Sequence, residues 1–302
     1  MKENFSDKEL MVKIEIDTTT LKRFKEIQKQ TIVEAKKLGH KKGKIKVLGI
    51  SGSARNELEE AQEKSNSEEL LKKCLEHCKN LGAETELIPL RKYNIKRCNA
   101  CYSTVNTQCH FYCSCYHKGT KEADDMSNKL YDKILKADAI IFATPVNNFS
   151  MSTLMKAFID SAISLDGSLK PANPKDPKDK QLNIKHMKFV ELTANNDIPG
   201  SGMLKRFLGK VAGVITTGHE EGAALVISSL FMTLTHFGML FPPLSNIYAM
   251  SSYCNSTYRD KSLVTGGCYG EELKMLAENV VNASKTARKT NPTIWKYDYH
   301  IN

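Results

Sequence analysis

The sequence predicts a doubly wound α/β domain built on a largely parallel five-stranded sheet. Three observations carry this expectation. Short apolar runs rich in β-branched residues alternate with longer stretches of helical periodicity. The runs are apolar throughout, as strands buried on both faces require. Serine-rich or glycine-containing loops follow the first, third and fourth of them.

The first run, IKVLGI at 45–50, lies between charge and Ser-Gly. Residues 67–81 then repeat apolar side chains at Leu70, Leu71, Cys74, Leu75, Cys78 and Leu81, and stop at Gly82. A second strand is expected at 84–90, a helix at 125–136 and a third strand at 139–144. Ser152 and the following threonine cap a helix over 152–164. A fourth strand at 211–216, a helix at 222–237 and a fifth strand at 245–250 follow. A helix at 271–288 closes the domain, its acidic start and basic end matching the dipole. Right-handed crossovers leave few ways to order such strands.

Two segments stand outside this rhythm. Residues 1–43 read as a helical extension, with an imperfect apolar stripe over 20–37, and a linker. Residues 166–207 read as an insertion before the fourth strand, holding KPANPKDPKDK, the apolar run MKFVELT and Pro-Gly-Ser-Gly; a flap or a dimer contact is its expected use. The main domain then runs over 44–290, with a tail at 291–302.

The chain has 302 residues, 41% hydrophobic and 26% charged, a globular composition. No apolar run approaches the roughly 18 residues of a membrane span, and the N-terminal residues lack the apolar core of a secretory signal. A cytoplasmic protein is expected. The net charge of +10 is mostly dispersed lysine, which reads as a solvated surface rather than a nucleic-acid face. It suits an anionic nucleotide or an acidic partner.

Chemistry concentrates in two places. Ser51-Gly52-Ser53-Ala54-Arg55 follows the first strand, and Ser65-Asn66-Ser67 opens the next helix after a detour at 56–64. Backbone N–H groups and a positive dipole end between strand and helix suit a phosphate. The loop lacks GxxxxGK[ST] and GxGxxG, so it is neither a P-loop nor a dinucleotide fingerprint. The second place is Cys98-x2-Cys101-x7-Cys109-x3-Cys113-x-Cys115, which holds five of the nine cysteines. In a reducing compartment, such a cluster is metal-binding or redox-active more often than disulfide-bonded.

VLGISGSAR with SNSEELL, ADAIIFATPV with Ser150-Met151-Ser152 and MKAFID, and VITTGHEEG together resemble the NADPH-dependent FMN reductase family, which is flavodoxin-like. The resemblance covers about 44–165 and 208–290. It implies that Ser51, Ser53, Arg55, Ser65, Asn66 and Ser67 serve the FMN phosphate, that Thr144, Pro145, Val146, Asn147 and Asn148 lie against the ring, and that Thr217, Gly218 and His219 approach its pyrimidine edge. Relatives often carry an aromatic residue directly after Thr-Pro-Val, where this chain has Asn147. Iron–sulfur flavoproteins, also similar, place a compact cysteine motif here for a [4Fe–4S] cluster. Their third cysteine falls near Thr104, so five thiols compete for four ligand positions. Three readings stand: a [4Fe–4S] cluster, a structural zinc with His110 or His117 as fourth ligand, or reduced thiols without metal.

The functions implied are an oxidoreductase passing electrons from NAD(P)H through FMN to a flavin, quinone or oxygen, or an electron carrier fed by a ferredoxin-like donor. A scaffold that has lost FMN is the third alternative. The resemblance also implies a homodimer or homotetramer.

Overall fold

The structure is a computed structural model that describes residues 5–38, 41–55, 62, 64–101, 109–218, 222–250 and 269–290. Its sheet contains β1 (Lys46–Ser51), β2 (Glu84–Pro89), β3 (Ala139–Asn147), β5 (Val211–Gly218) and β6 (Asn246–Met250), all parallel and ordered β2-β1-β3-β5-β6. A two-residue strand, β4 (Ser150–Met151), folds back antiparallel on the end of β3. Without that hairpin strand the order is 2-1-3-4-5, the flavodoxin-like arrangement, whose switch point lies between β1 and β3. Central strands β1, β3 and β5 are buried almost throughout, whereas edge strand β2 alternates, as an edge strand with one wetter face should.

Helices cover both faces. On one side lie α4 (Tyr131–Lys136), entered through a π-helical turn at Met126–Leu130, then α5 (Thr153–Ser161) and α7 (Ala223–His236). Their apolar side chains interlock with Ile50, Ile140, Phe142 and Val214. On the other side α3 (Asn66–Asn80) and α8 (Tyr269–Lys289) pack on Val47, Ile141 and Ile215. Cys74 and Cys78 are buried on α3, as core packing requires. No described helix is long and apolar enough to cross a membrane.

A third core joins the two segments outside the rhythm. The N-terminal residues form two helices, α1 (Asp7–Ile14), held by a Ser6–Glu9 capping box, and α2 (Thr18–Leu38). The run MKFVELT lies in α6 (Lys180–Thr193), begun by an Asp179 cap. Leu10, Ile14, Leu21 and Phe24 of the first pair pack with Leu169, Met187, Phe189 and Val190 of the insertion. The insertion is therefore not a loose flap in this structure. Arg206, fully buried, ties the two together. Its guanidinium donates to Glu34 Oε1 (2.7 Å) and Oε2 (3.3 Å), to Ser168 Oγ (2.8 Å) and to the Leu204 carbonyl (3.2 Å), and lies 4.3 Å over the Phe111 ring.

At the amino edge of the sheet, Asp138 accepts from Arg288 Nε (3.0 Å) and Nη2 (2.6 Å) and from the Lys46 amide (2.8 Å). Burial pushes its carboxyl up, yet the Arg288 bonds, the Lys46 amide and the Lys41 charge hold it below its ordinary value. A carboxylate with a lowered folded pKa stabilises the fold above its unfolded value, and that contribution is lost as pH falls through the folded one. The urea midpoint is expected to fall as pH drops below the ordinary carboxylate range. Asp138→Asn is expected to lower the midpoint at neutral pH and flatten this acid limb.

Candidate functional site

Three loops meet at the carboxyl edge because β1, β3 and β5 end in register. Ser51 sits opposite Ala143, and Pro145 opposite Thr217. The Gly52 amide donates to the Ala143 carbonyl at 2.7 Å. Ser152, the N-cap of α5, links the first two loops. Its hydroxyl donates to the Gly52 carbonyl (2.6 Å) and accepts from the Met155 amide (3.1 Å), while its own amide donates to Thr144 Oγ1 (3.1 Å). A Cβ on Gly52 would lie 2.8 Å from Met155 Cβ and 2.9 Å from Ser152 Oγ, so only glycine fits.

In the first loop Ser51, Ser53, Ser65, Asn66 and Ser67 are buried and Arg55 is half-buried. Ser65 caps α3, accepting from the Glu68 amide at 3.2 Å, and its hydroxyl is 3.1 Å from that of Ser67. Ser53 accepts from the Arg55 amide at 3.2 Å. The Ser51 hydroxyl is committed to Glu68 Oε2 at 3.0 Å, and Arg91 forks onto the same carboxylate. Burial would raise the Glu68 pKa, but these bonds and the Arg91 and Lys72 charges hold it down. Sequence reasoning missed Glu68 and Arg91, although Ser65-x-x-Glu68 is a capping-box spacing. Of the detour, residues 56–61 and 63 lie outside the described residues.

In the second loop Thr144 and Val146 are buried, Pro145 is half-buried, and Asn147 and Asn148 are exposed. Asn148 and Phe149 both have positive φ, +48° and +62°, and so form the two-residue turn of the β3–β4 hairpin. In the third loop Thr217 is buried and Gly218 ends β5. His219 lies outside the described residues.

Cys98, Cys101, Cys109, Cys113 and Cys115 line one recess together with Asp124, Ser127, Tyr131, Ser161 and Ser164. Cys115 and Cys101 are 3.6 Å apart at sulfur, and Cys109 lies 3.4 Å from Ser164 Oγ. Hydrogen bonds from Cys101 and Cys113 favour the Cys115 thiolate, and the Cys113 bond favours that of Cys109. The donors Cys101 and Cys113 are pushed up correspondingly, and burial raises Cys98. Ser127 Oγ is buried at this recess with no hydrogen-bond partner among the described residues. Soft sulfur donors and one unsatisfied hydroxyl fit a sulfur-ligated metal centre by their chemistry. Among the described residues, no three His, Cys, Asp or Glu side chains are already arranged to close on a single ion. None of the described histidines lines the recess: His110 Nδ1 is 2.8 Å from Ser114 Oγ, and His117 Nδ1 is 3.1 Å from the Tyr112 carbonyl. Residues 102–108 of this loop, with Thr104, and Cys254 and Cys268 lie outside the described residues.

The insertion supports this loop. The Phe111 amide donates to the Leu169 carbonyl (2.8 Å) and the Leu169 amide to the Cys109 carbonyl (3.2 Å).

Residues 45–183 match the family model of the NADPH-dependent FMN reductases. An iron–sulfur flavoprotein of Archaeoglobus fulgidus is 31% identical over 116 residues, 38% of this chain and 48% of that protein. One from Methanosarcina thermophila is 28% identical over 121 residues, 40% and 54%. The chain thus spans about half the length of the curated relatives it matches. The solved structure of RosB with its bound intermediate 8-demethyl-8-formylriboflavin-5'-phosphate aligns with a TM-score of 0.54 over 82% of each chain at 17% identity, a likeness of fold. By sheet order and by these matches, the chain is a flavodoxin-like α/β protein whose residues 45–183 match the NADPH-dependent FMN reductase family.

Proposed function

We propose that the chain is an FMN-dependent oxidoreductase that takes electrons from NAD(P)H and passes them to a flavin, quinone or oxygen, with the cysteine recess holding an iron–sulfur centre. The convergence of three loops at the carboxyl ends of β1, β3 and β5, locked by Ser152, carries this reading. Bound FMN would supply the hydride and single-electron chemistry. The protein supplies position. Backbone N–H groups at the start of α3, the hydroxyls of Ser53, Ser65 and Ser67, Asn66 and Arg55 serve the phosphate. Ser51 acts beside them through Glu68. Thr144, Pro145, Val146, Asn147 and Asn148 border the ring, and Thr217, Gly218 and His219 its pyrimidine side. The basic surface favours the approach of an anionic nucleotide.

The five thiols at one recess favour a second reading: an electron carrier fed by a ferredoxin-like protein. The visible spectrum of the protein purified without oxygen, with iron and zinc assays, tests both. FMN bands with stoichiometric iron support the flavin–cluster pairing. Zinc in place of iron would leave a simple FMN reductase with a structural cysteine site. Protein that takes up no flavin on reconstitution would sink both readings. Rapid flavin reduction by NADPH or NADH selects the enzyme; reduction by ferredoxin alone selects the carrier. Replacing Cys101 and Cys115 together by serine is expected to remove most of the iron while FMN stays bound; full iron retention counts against their role as ligands.

We place the protein in the cytoplasm as a homodimer or homotetramer. Leu225, Phe231 and Met232 expose an apolar face of α7 in support of assembly. Light scattering checks it.

A further inference from the structure

The amino edge of the sheet, opposite the three loops, gathers more positive charge than its own groups neutralise. Lys210, the residue before β5, keeps only 2% of its surface exposed. Its ammonium donates to the carbonyls of Leu135 (3.0 Å) and Ala137 (2.6 Å) at the end of α4. Among the described residues no carboxylate accepts a hydrogen bond from it, although a lysine buried this deeply is ordinarily ion-paired. Lys41, from the linker after α2, donates to the same Ala137 carbonyl at 2.5 Å. The two ammonium nitrogens therefore lie no farther apart than the sum of those two bonds. Arg288 of α8 brings a third cation to the same place.

Against these three stands Asp138. Arg288 occupies both of its oxygens, the Lys46 amide takes one of them as well, and the Lys41 ammonium stays 3.8 Å away. The end of α4 adds the equivalent of about half a negative charge. That suits one capping ammonium, not two side by side. Burial and the neighbouring Lys41 charge push the Lys210 ammonium well below its ordinary value, and burial lowers Lys41 too. Two such groups hold their protons next to each other only with a further counter-charge. Space for one exists. A recess bounded by Lys41, Asp138, Lys210 and Arg288, and walled by Leu38 and Leu208, leaves about 20 Å³, enough for one small occupant.

We propose that this recess binds a monatomic anion of chloride size, held between the ammonium groups of Lys41 and Lys210. Its size excludes phosphate and nucleotides. The cations around it come from the linker, from the start of β5 and from α8, whose Arg288 also donates to the Gly43 carbonyl of the linker at 2.6 Å. The bound anion thus fastens the linker of the N-terminal helices to the sheet. The site lies at the edge opposite the candidate flavin site and stands independently of the FMN reading.

The test follows the melting of the full-length protein as chloride replaces gluconate at constant ionic strength. The wild-type Tm is expected to rise by roughly 2–4 °C for each tenfold increase in chloride above half-saturation. Broadening of the chloride NMR line on adding protein reads the binding directly. Lys41→Met, at a half-buried position, is expected to fold and to lose both the Tm response and the broadening. Lys210→Met, apolar and of similar length, is expected to lose them as well. Should that variant not fold, Lys41→Met decides alone. A wild-type Tm indifferent to chloride would overturn the assignment, as would a response that Lys41→Met keeps in full. An equal rise with sulfate, which is too large for the recess, would mark a general salt effect and overturn it too.

Discussion

Glu34→Ala is expected to destabilise the protein by about 3–5 kcal/mol, because it leaves the Arg206 charge buried without its carboxylate. Of the two partners Arg206 is the more sensitive: it is 0% exposed, whereas the Glu34 side chain keeps 24%. The backbone and Ser168 acceptors remain in the variant, but none of them carries charge. Lys170, 3.7 Å from Glu34, loses its partner as well. The effect should reach the cysteines, since the guanidinium lies over Phe111, two residues from Cys109 and Cys113. Urea denaturation reads the stability, and the rate of thiol titration in the native protein reads the loop. Combining Glu34→Leu with Arg206→Met should recover much of the loss, as apolar replacements of buried ion pairs often do. A double variant no better than Glu34→Ala would show that shape, not charge, dominates.

The second large effect is expected at Gly52. Gly52→Val forces two methyl groups toward Met155 Cβ and Ser152 Oγ, both on the first turn of α5. These are not flexible chain ends, so the loops after β1 and β3 must move apart. Overpacking of this kind costs about 1–3 kcal/mol, and borne by the binding geometry it weakens FMN about five- to a hundredfold. Calorimetric titration with FMN measures the loss. Gly270→Ala, where an added Cβ meets nothing within 4 Å, is the control and should change nothing. Equal affinity in the two variants would remove Gly52 from the site.

Much of the fold was legible in the residues. Strands β1, β3 and β5 announce themselves because a strand buried on both faces needs a continuous apolar run. Ser65 and Ser152 mark helix starts because orphan N–H groups need local acceptors. The loops of the candidate site were legible for a related reason: open α/β sheets bind at the carboxyl ends of strands, and the strands could be counted. What escaped depends on partners distant in sequence. The periodicity of 20–37 shows that a face will be buried but not that Met187 and Phe189 bury it. Glu68 reads as a capping residue until Ser51 and Arg91 are seen to meet on its carboxylate. Phe149 escaped because Asn-Phe carries no glycine to announce a left-handed turn.

The third core also sets an order of events during synthesis. Glu34 and Arg206 are separated by 172 positions. At ribosomal rates of roughly 5–20 residues per second, α2 emerges on the order of ten to thirty seconds before its anchoring residue exists. Through most of that interval the apolar stripe of α2 has only α1 to settle on, and the cysteine loop, made midway, lacks its outer wall. The cysteine loop thus reaches its final packing only after residue 206 has left the ribosome.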